Sequence, residues 1–284
     1  MQEASFKMTY PRIGLALGGG GARGMSHIPV FQAFDDLGLK PCHITGSSIG
    51  ALLGAGYAAG LSGQELYDYA LETFRHRNAL IARLWQLRPK RFTDMFAGGI
   101  AQFDPLKVVN LFAADLIPDH FEDLKIPLTV LATDFYGCCE IDITTGPLRP
   151  AIAASIAIPA VFRAVEMGGR VLVDGGIANP LPFDILPADC GLTVAVDVVG
   201  VPVPRRTHKN APATLDSLFG SSQILMRTIT AEKLKQKRPD ILVRPAVDDI
   251  RVLDFMKTRT VLESAAPLRE LVKKQLSELL EKAA

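Results

Sequence analysis

The stretch RIGLALGGGGARGMSH, residues 12–27, sets an apolar strand-like run against four consecutive glycines and then a helix-like segment. Fixing four glycines costs conformational entropy, so the loop must serve a ligand or a close backbone approach. One possibility is a dinucleotide site, because Gly19, Gly21 and Gly24 satisfy G-x-G-x-x-G after a strand. The stretch about 20 residues on, LGLKPCHITG, lacks the carboxylate that would hold a ribose hydroxyl. A nucleotide P-loop fits at Gly19, Gly24 and Ser26, but Met25 stands where the phosphate-binding lysine belongs. The third possibility is an oxyanion site, in which glycines aim backbone N–H groups at one point beside a helix N-terminus. It requires a nucleophile.

The segment HITGSSIGALLGAG, residues 43–56, supplies one. Gly46-Ser47-Ser48-Ile49-Gly50 is G-x-S-x-G between a strand and a helix, the setting in which a sharp turn lifts the central serine off the sheet. Ser48 is that serine; the plainer reading is a serine N-cap. A base is needed too. Of His27, His43, His76, His120 and His208, only His208 could close a Ser…Asp…His order, with Asp174, and it lies in the basic, proline-flanked RRTHKNAP. Asp134, Asp174 and Asp197 each stand at the C-terminal end of a strand-like run, where ligands of open α/β sheets bind. Only Asp174 is followed by two glycines; spacing alone does not rank the three.

The 284 residues suffice for one substantial core. The apolar fraction of 48% excludes disorder, and a formal net charge of +1 gives no general attraction to nucleic acid. Four cysteines without a CxxC indicate neither a zinc site nor a disulfide framework. The opening MQEASFKMTY lacks an apolar signal-peptide region, so a cytoplasmic location is expected. Pro41 to Gln64 carries no charge and spaces Gly46, Gly50 and Gly54 as G-x-x-x-G, yet a strand, a turn and a buried helix explain it better than a membrane span.

Elsewhere the pattern alternates. Helices are expected over Gly24–Leu37, Ile49–Ala59, from the Ser62/Glu65 capping box to about Phe74, from Asp104-Pro105 to about Leu116, and over Lys257–Lys282 with Val261, Ala265, Leu268, Val272, Leu276 and Leu279 on one stripe. PLTVLATD, LTVAVDVV and ILV at 241–243 read as parallel strands. Residues 200–214 read as a surface loop. From Thr73 to Thr93 there are six basic residues and no acid, interleaved with Leu80, Ile81, Leu84, Trp85 and Leu87. That segment is either a peripheral membrane contact, at the inner membrane surface, or a helix packed on the domain.

G-G-G-x-R-G, G-x-S-x-G and D-G-G in this order resemble the patatin-like phospholipase family. Gly19 to Gly24 match its oxyanion motif, Gly46 to Gly50 its elbow, and Asp174-Gly175-Gly176 its aspartate motif; AIAASIAIPAVFRAV and NPLP are also similar to bacterial members. The resemblance runs from about residue 12 to 198. It implies a three-layer α/β/α sandwich with a mostly parallel sheet, in one domain over 1–284 whose C-terminal part, from about 213, is helical. It selects Asp174 as the base for Ser48, without histidine, metal or cofactor. It implies backbone donors at Gly19, Gly20 and Gly21, with Arg23 bracing that loop or meeting a phosphate, and Gly24, Gly46, Gly50, Gly175 and Gly176 as motif glycines. The implied substrate is a phospholipid or lysophospholipid acyl ester; a weakly active or inactive lipid-binding scaffold is the alternative. Pro29 departs from the family's usual small residue, and distortion of its helix is expected.

Overall fold

The structure is a computed structural model that describes residues 11–75, 102–202 and 212–283. Five strands form its parallel centre: β1 (Ile13–Leu17), β2 (His43–Ser47), β3 (Leu128–Asp134), β7 (Leu192–Val196) and β8 (Ile241–Val243), in the order β3-β2-β1-β7-β8. β4 (Cys139–Ile143), β5 (Val165–Met167) and β6 (Arg170–Asp174) add antiparallel pairs at the β3 end. The expected α/β sheet is therefore present, with an antiparallel margin that periodicity did not announce.

That margin places the site. β4 pairs with β3 along Val130 to Asp134 and so occupies most of one edge of it. The other edge is shared: Leu131 pairs with Ser47 of β2, and the next residue, Ala132, pairs with Asp174 of β6. β2 and β6 thus approach one another head-on along β3, and the chain ends of both strands meet.

Alternation along each strand sends side chains to two faces. Leu15, Leu17, Val194 and Val196 join one large cluster with Phe31 and Phe34 of α1 (His27–Asp36), Leu53 of α2 (Ile49–Ala59), Leu66 of α3 (Gly63–Arg75), Val109 of α4 (Pro105–Ala113) and Ile152 of α5 (Leu148–Ser155). The intervening Ala16 and Ala195 join Leu181, Phe183, Leu186 and Leu234, the last from α6 (Thr214–Gln236). Helices therefore flank the sheet, unequally.

Local expectations hold with instructive exceptions. The Ser62/Glu65 box forms reciprocally: the Ser62 N–H donates to Glu65 Oε2 at 2.8 Å, and the Glu65 N–H to Ser62 Oγ at 3.2 Å. Gly21–Ser26 wind as a 3-10 turn before α1 begins at His27, so the expected start at Gly24 is too early for an α-helix. Pro29 lies in the first turn of α1, where its missing N–H has no intrahelical partner to lose, and the helix runs undistorted to Asp36. The α4 helix stops at Ala113, short of Leu116. The long C-terminal helix is two, α7 (Thr258–Ala265) and α8 (Pro267–Ala283), divided at Pro267. Val261, Ala265, Leu268, Val272 and Leu276 of the expected stripe are buried in the main cluster, but its last member is Leu280, with Leu279 only partly buried. The uncharged 41–64 stretch is the expected strand, turn and helix, with no helix among the described residues long and apolar enough to cross a membrane. Of the basic 73–93 segment, residues 76–93 lie outside the described residues, as does His208.

The glycine turn is locked onto α2 at one point. A Cβ on Gly24 would lie 2.2 Å from Ile49 Cγ2, next to the nucleophile candidate. Gly24→Ala should therefore destabilise the protein by about 2 kcal/mol through overpacking. In an Ile49→Ala background, which removes the clashing carbons, the same change should cost little. Denaturant unfolding of the four proteins checks this; additive losses would mean that the contact does not govern the turn.

Candidate active site

Ser48 leaves β2 with φ 54° and ψ −124°, a positive φ that a serine adopts only under constraint. The constraint is visible in the helix that follows. Gly50 lets α2 cross the end of β1 so closely that a Cβ there would lie 2.3 Å from Leu17 O. The Ser48 carbonyl accepts from the Ala51 and Leu52 N–H groups at 3.0 and 3.2 Å, and its own N–H donates to Ser155 Oγ at 2.9 Å. The side chain then has one direction left. Ser48 Oγ donates to Asp174 Oδ2 at 2.6 Å, with both residues buried.

Asp174 closes β6 and is held at every polar atom. Its N–H donates to Ala157 O at 3.0 Å, and its carbonyl accepts from Thr133 Oγ1 at 2.9 Å. Oδ1 accepts from the Gly176 N–H at 2.8 Å, in the 3-10 turn Gly175–Ile177. Burial pushes the carboxyl up to about 6, although the bonds from Ser48 and Gly176 oppose the rise. The other two aspartates are engaged elsewhere. Asp134 accepts from Arg170 Nη1 at 3.2 Å and Asp197 from Arg244 Nε at 3.0 Å. No histidine among the described residues bonds Ser48. His27 contacts Gly18 O through Nε2 at 2.9 Å and is pushed down to about 4 by burial, which keeps it neutral; His43 bonds Thr129 Oγ1 at 2.8 Å.

The glycine loop lies against this pair. The Gly19 N–H donates to Pro180 O at 2.9 Å, so it is committed and is not free to receive an oxyanion. The Gly20 and Gly21 N–H groups donate to no acceptor among the described residues. Gly21 has φ 58°, and a Cβ there would lie 2.1 Å from Val252 O. The Arg23 side chain does not reach the site. It is buried, donating from Nε to Val198 O and from Nη1 to Ile250 O, both at 3.0 Å. The Gln223 amide lies against the guanidinium, and its orientation is assigned from the donors it faces: with the oxygen turned toward Arg23 it accepts from Nη2 at 2.7 Å and Nη1 at 2.8 Å. Burial lowers this guanidinium to about 10, with Asp248 and Asp197 opposing, so it stays charged at neutral pH. Of the two roles set out for Arg23, the structure gives the brace: it ties the loop to the chain after β7 and to α6.

Three participants escaped the sequence reading. Ser155 stands inside AIAASIAIPAVFRAV, a signal that was present but carried no assigned atom. Gln223 and Met226 of α6 had no signal at all. Met226 Cε lies 2.8 Å from where a Gly176 Cβ would sit, and the neighbouring Ile177 is exposed. The site thus has a buried hydroxyl–carboxylate pair and two N–H donors without an acceptor among the described residues.

A patatin-like phospholipase family match covers residues 15–187. An uncharacterised NTE family protein of Mycobacterium tuberculosis is 39% identical over 193 residues, 67% of this chain and 50% of that protein. Neuropathy target esterase sws of Drosophila melanogaster is 32% identical over 181 residues, 63% of this chain and 12% of that protein. The chain therefore spans about half the length of the mycobacterial relative and far less of the fly one. Among solved structures, VipD from Legionella pneumophila is 12% identical with a TM-score of 0.49, over 93% of this chain and 67% of that one. With the three motifs folded into one site and the family match spanning most of the sheet, the chain belongs to the patatin-like phospholipase family.

Proposed function

We propose that the protein hydrolyses acyl esters of phospholipids or lysophospholipids through a Ser48–Asp174 dyad. The observation that carries this is the 2.6 Å bond from Ser48 Oγ to a buried carboxylate with a raised pKa. Ser48 Oγ attacks the ester carbonyl while its proton passes to Asp174 Oδ2. The oxyanion meets the Gly20 and Gly21 N–H groups beside the N-terminus of α2, and collapse expels the alcohol, which takes the proton back from Asp174. Water then repeats the sequence on the acyl-serine, with Asp174 again the base. A carboxylate near the ordinary range is a poor base at neutral pH; burial brings Asp174 closer to the working range. Ile177, exposed in the turn that follows Asp174, offers an acyl chain an apolar contact, and the names of the family and of the fly esterase support an ester of lipid.

A fluorophosphonate probe should label Ser48 and leave Ser48→Ala unlabelled. Ester turnover should fall more than about a hundred-fold in Ser48→Ala and Asp174→Asn. Labelling of a different serine would remove the assignment, and a folded wild-type protein inactive on every acyl ester would leave a lipid-binding scaffold.

The protonation of Asp174 sets two opposite pH trends. As a base it must be ionised, so kcat/KM on a soluble short-chain ester should fall below about pH 6 with a slope of one. Its folded pKa lies above the unfolded value, so the native state binds the extra proton, and stability should decline as pH rises from the ordinary carboxylate range to about 6. Asp174→Asn should abolish that decline. A profile flat through pH 6 in both measurements would contradict a buried carboxylate base.

Ser155 acts through Ser48, by holding its N–H. Ser155→Ala should lower kcat by about ten- to a hundred-fold while KM stays within about twofold, because it misplaces the nucleophile without touching the substrate. Ser155→Thr, which keeps the hydroxyl, should recover most of the loss. A change confined to KM, or no rescue by threonine in a folded protein, would show a packing role only.

A further inference from the structure

We propose that Cys42 and Cys190 form a reversible disulfide site at the end of the sheet opposite the Ser48–Asp174 pair. Cys42 immediately precedes β2 and Cys190 lies two residues before β7, with β1 running between those strands. Strands that flank a third are about 9.5 Å apart, too far for their side chains to meet over an ordinary residue. On the middle strand Gly14 pairs with His43 and Thr193, one and three residues beyond the two cysteines. A Cβ there would lie 2.9 Å from Cys190 Sγ and 3.0 Å from Leu186 Cδ2. The missing side chain leaves a passage, and through it the two sulfurs approach to 3.1 Å.

Both cysteines are free. The remaining gap to an S–S bond of about 2.05 Å is about 1 Å. The chain can supply that movement on one side: Cys190 sits in a turn, its N–H on Pro187 O at 3.0 Å, outside the ladder of β7. On the other side Cys42 is fixed, its N–H on Ile13 O at 2.8 Å. Around the pair stand the Asp189 carboxylate, engaged by the Arg12 guanidinium, and the half-buried His43 ring.

The chemistry requires a small-molecule disulfide such as oxidised glutathione. Cys42 is the more exposed thiol, and its thiolate attacks one glutathione sulfur, forming a mixed disulfide and releasing one glutathione thiolate. The Cys190 thiolate then attacks Cys42 Sγ and expels the second. The two protons leave with the two glutathione thiols, so two protein thiols are oxidised and one glutathione disulfide is reduced. Burial pushes the Cys190 thiol up to about 12, which lowers its thiolate fraction. A sulfur already 3.1 Å from its target offsets that by proximity.

The bond would join residues 148 positions apart and clasp β2, β1 and β7, the strands that carry the nucleophile and the glycine loop. Stabilisation should come from constraint of the unfolded chain. Cys42 is about 20 Å along β2 from Ser48, so the dyad itself should be unaffected.

The test uses the full chain with Cys138 and Cys139, both exposed, changed to serine. It is equilibrated over a series of reduced-to-oxidised glutathione ratios, acid-quenched, alkylated and mapped by mass spectrometry without reduction. The expected product is 2 Da lighter and yields a Cys42–Cys190 linked peptide. Its thermal midpoint should rise by at least about 3 °C, reversing with reductant, while turnover of a soluble ester stays within about twofold. Cys190→Ser should instead accumulate a glutathione adduct on Cys42. The proposal is overturned if the parent protein also stops at that adduct with Cys190 alkylated. It is equally overturned if both thiols are alkylated at every ratio, or if the linkage appears only after denaturant is added.

Discussion

Ser48 is held in a backbone conformation that a serine avoids, and much of the surrounding structure is explained by what that conformation demands. Strain of this kind persists only when neighbours over-determine it. Here α2 must pass close over the end of β1, which Gly50 allows, and Ser155 must catch the N–H that the sharp turn exposes. The glycine loop then has to be fixed without a side chain of its own. Arg23 does this from beneath, with a buried guanidinium whose partners are carbonyl oxygens and the Gln223 amide, not a carboxylate in direct contact. A charge placed there is expensive to desolvate, and the carbonyl dipoles carry that burden.

Desolvation also separates the aspartates. Asp134 and Asp197 stand at strand ends just as Asp174 does, but each is met by an arginine. Among the described residues the Asp174 carboxylate meets only a hydroxyl and a backbone N–H, so its ionised form is the least supported of the three. A carboxylate that is poorly stabilised as an anion is one disposed to take a proton. What sets Asp174 apart, and favours it as the base in the proposed dyad, is that no cation meets it among the described residues, a property of three-dimensional surroundings.

This is why the sequence was informative about some parts and silent on others. The elbow, the glycine loop and the parallel strands were legible because each is written in residues next to one another: Gly46 to Gly50, Gly18 to Gly24, and the β-branched run of Leu128 to Asp134. The Ser62/Glu65 cap was legible for the same reason. The ranking of the aspartates needed Arg170 and Arg244, far off in two cases and on different strands or loops. The fate of the Gly19 N–H depended on Pro180, and the burial of Arg23 on Val198, Ile250 and Gln223. Pro267 is the contrary case, a break that one residue announced inside an otherwise continuous stripe. The run that becomes β6 was legible as a strand but its antiparallel pairing was not, and β4 and the three-residue β5 carried no clear strand signal.

The shared edge of β3 carries a consequence for how activity arises during folding. The nucleophile arrives on a strand that pairs with Leu131 and its base on one that pairs with Ala132, from 126 positions further along the chain. Neither strand brings the other; only β3, lying between them in sequence, measures both into line. A chain in which β6 has not yet annealed holds a serine with no proton acceptor, however well its first half is formed. On the proposed dyad, ester cleavage therefore depends on both pairings at once, and a chain lacking either the β2 or the β6 contact with β3 is chemically inert.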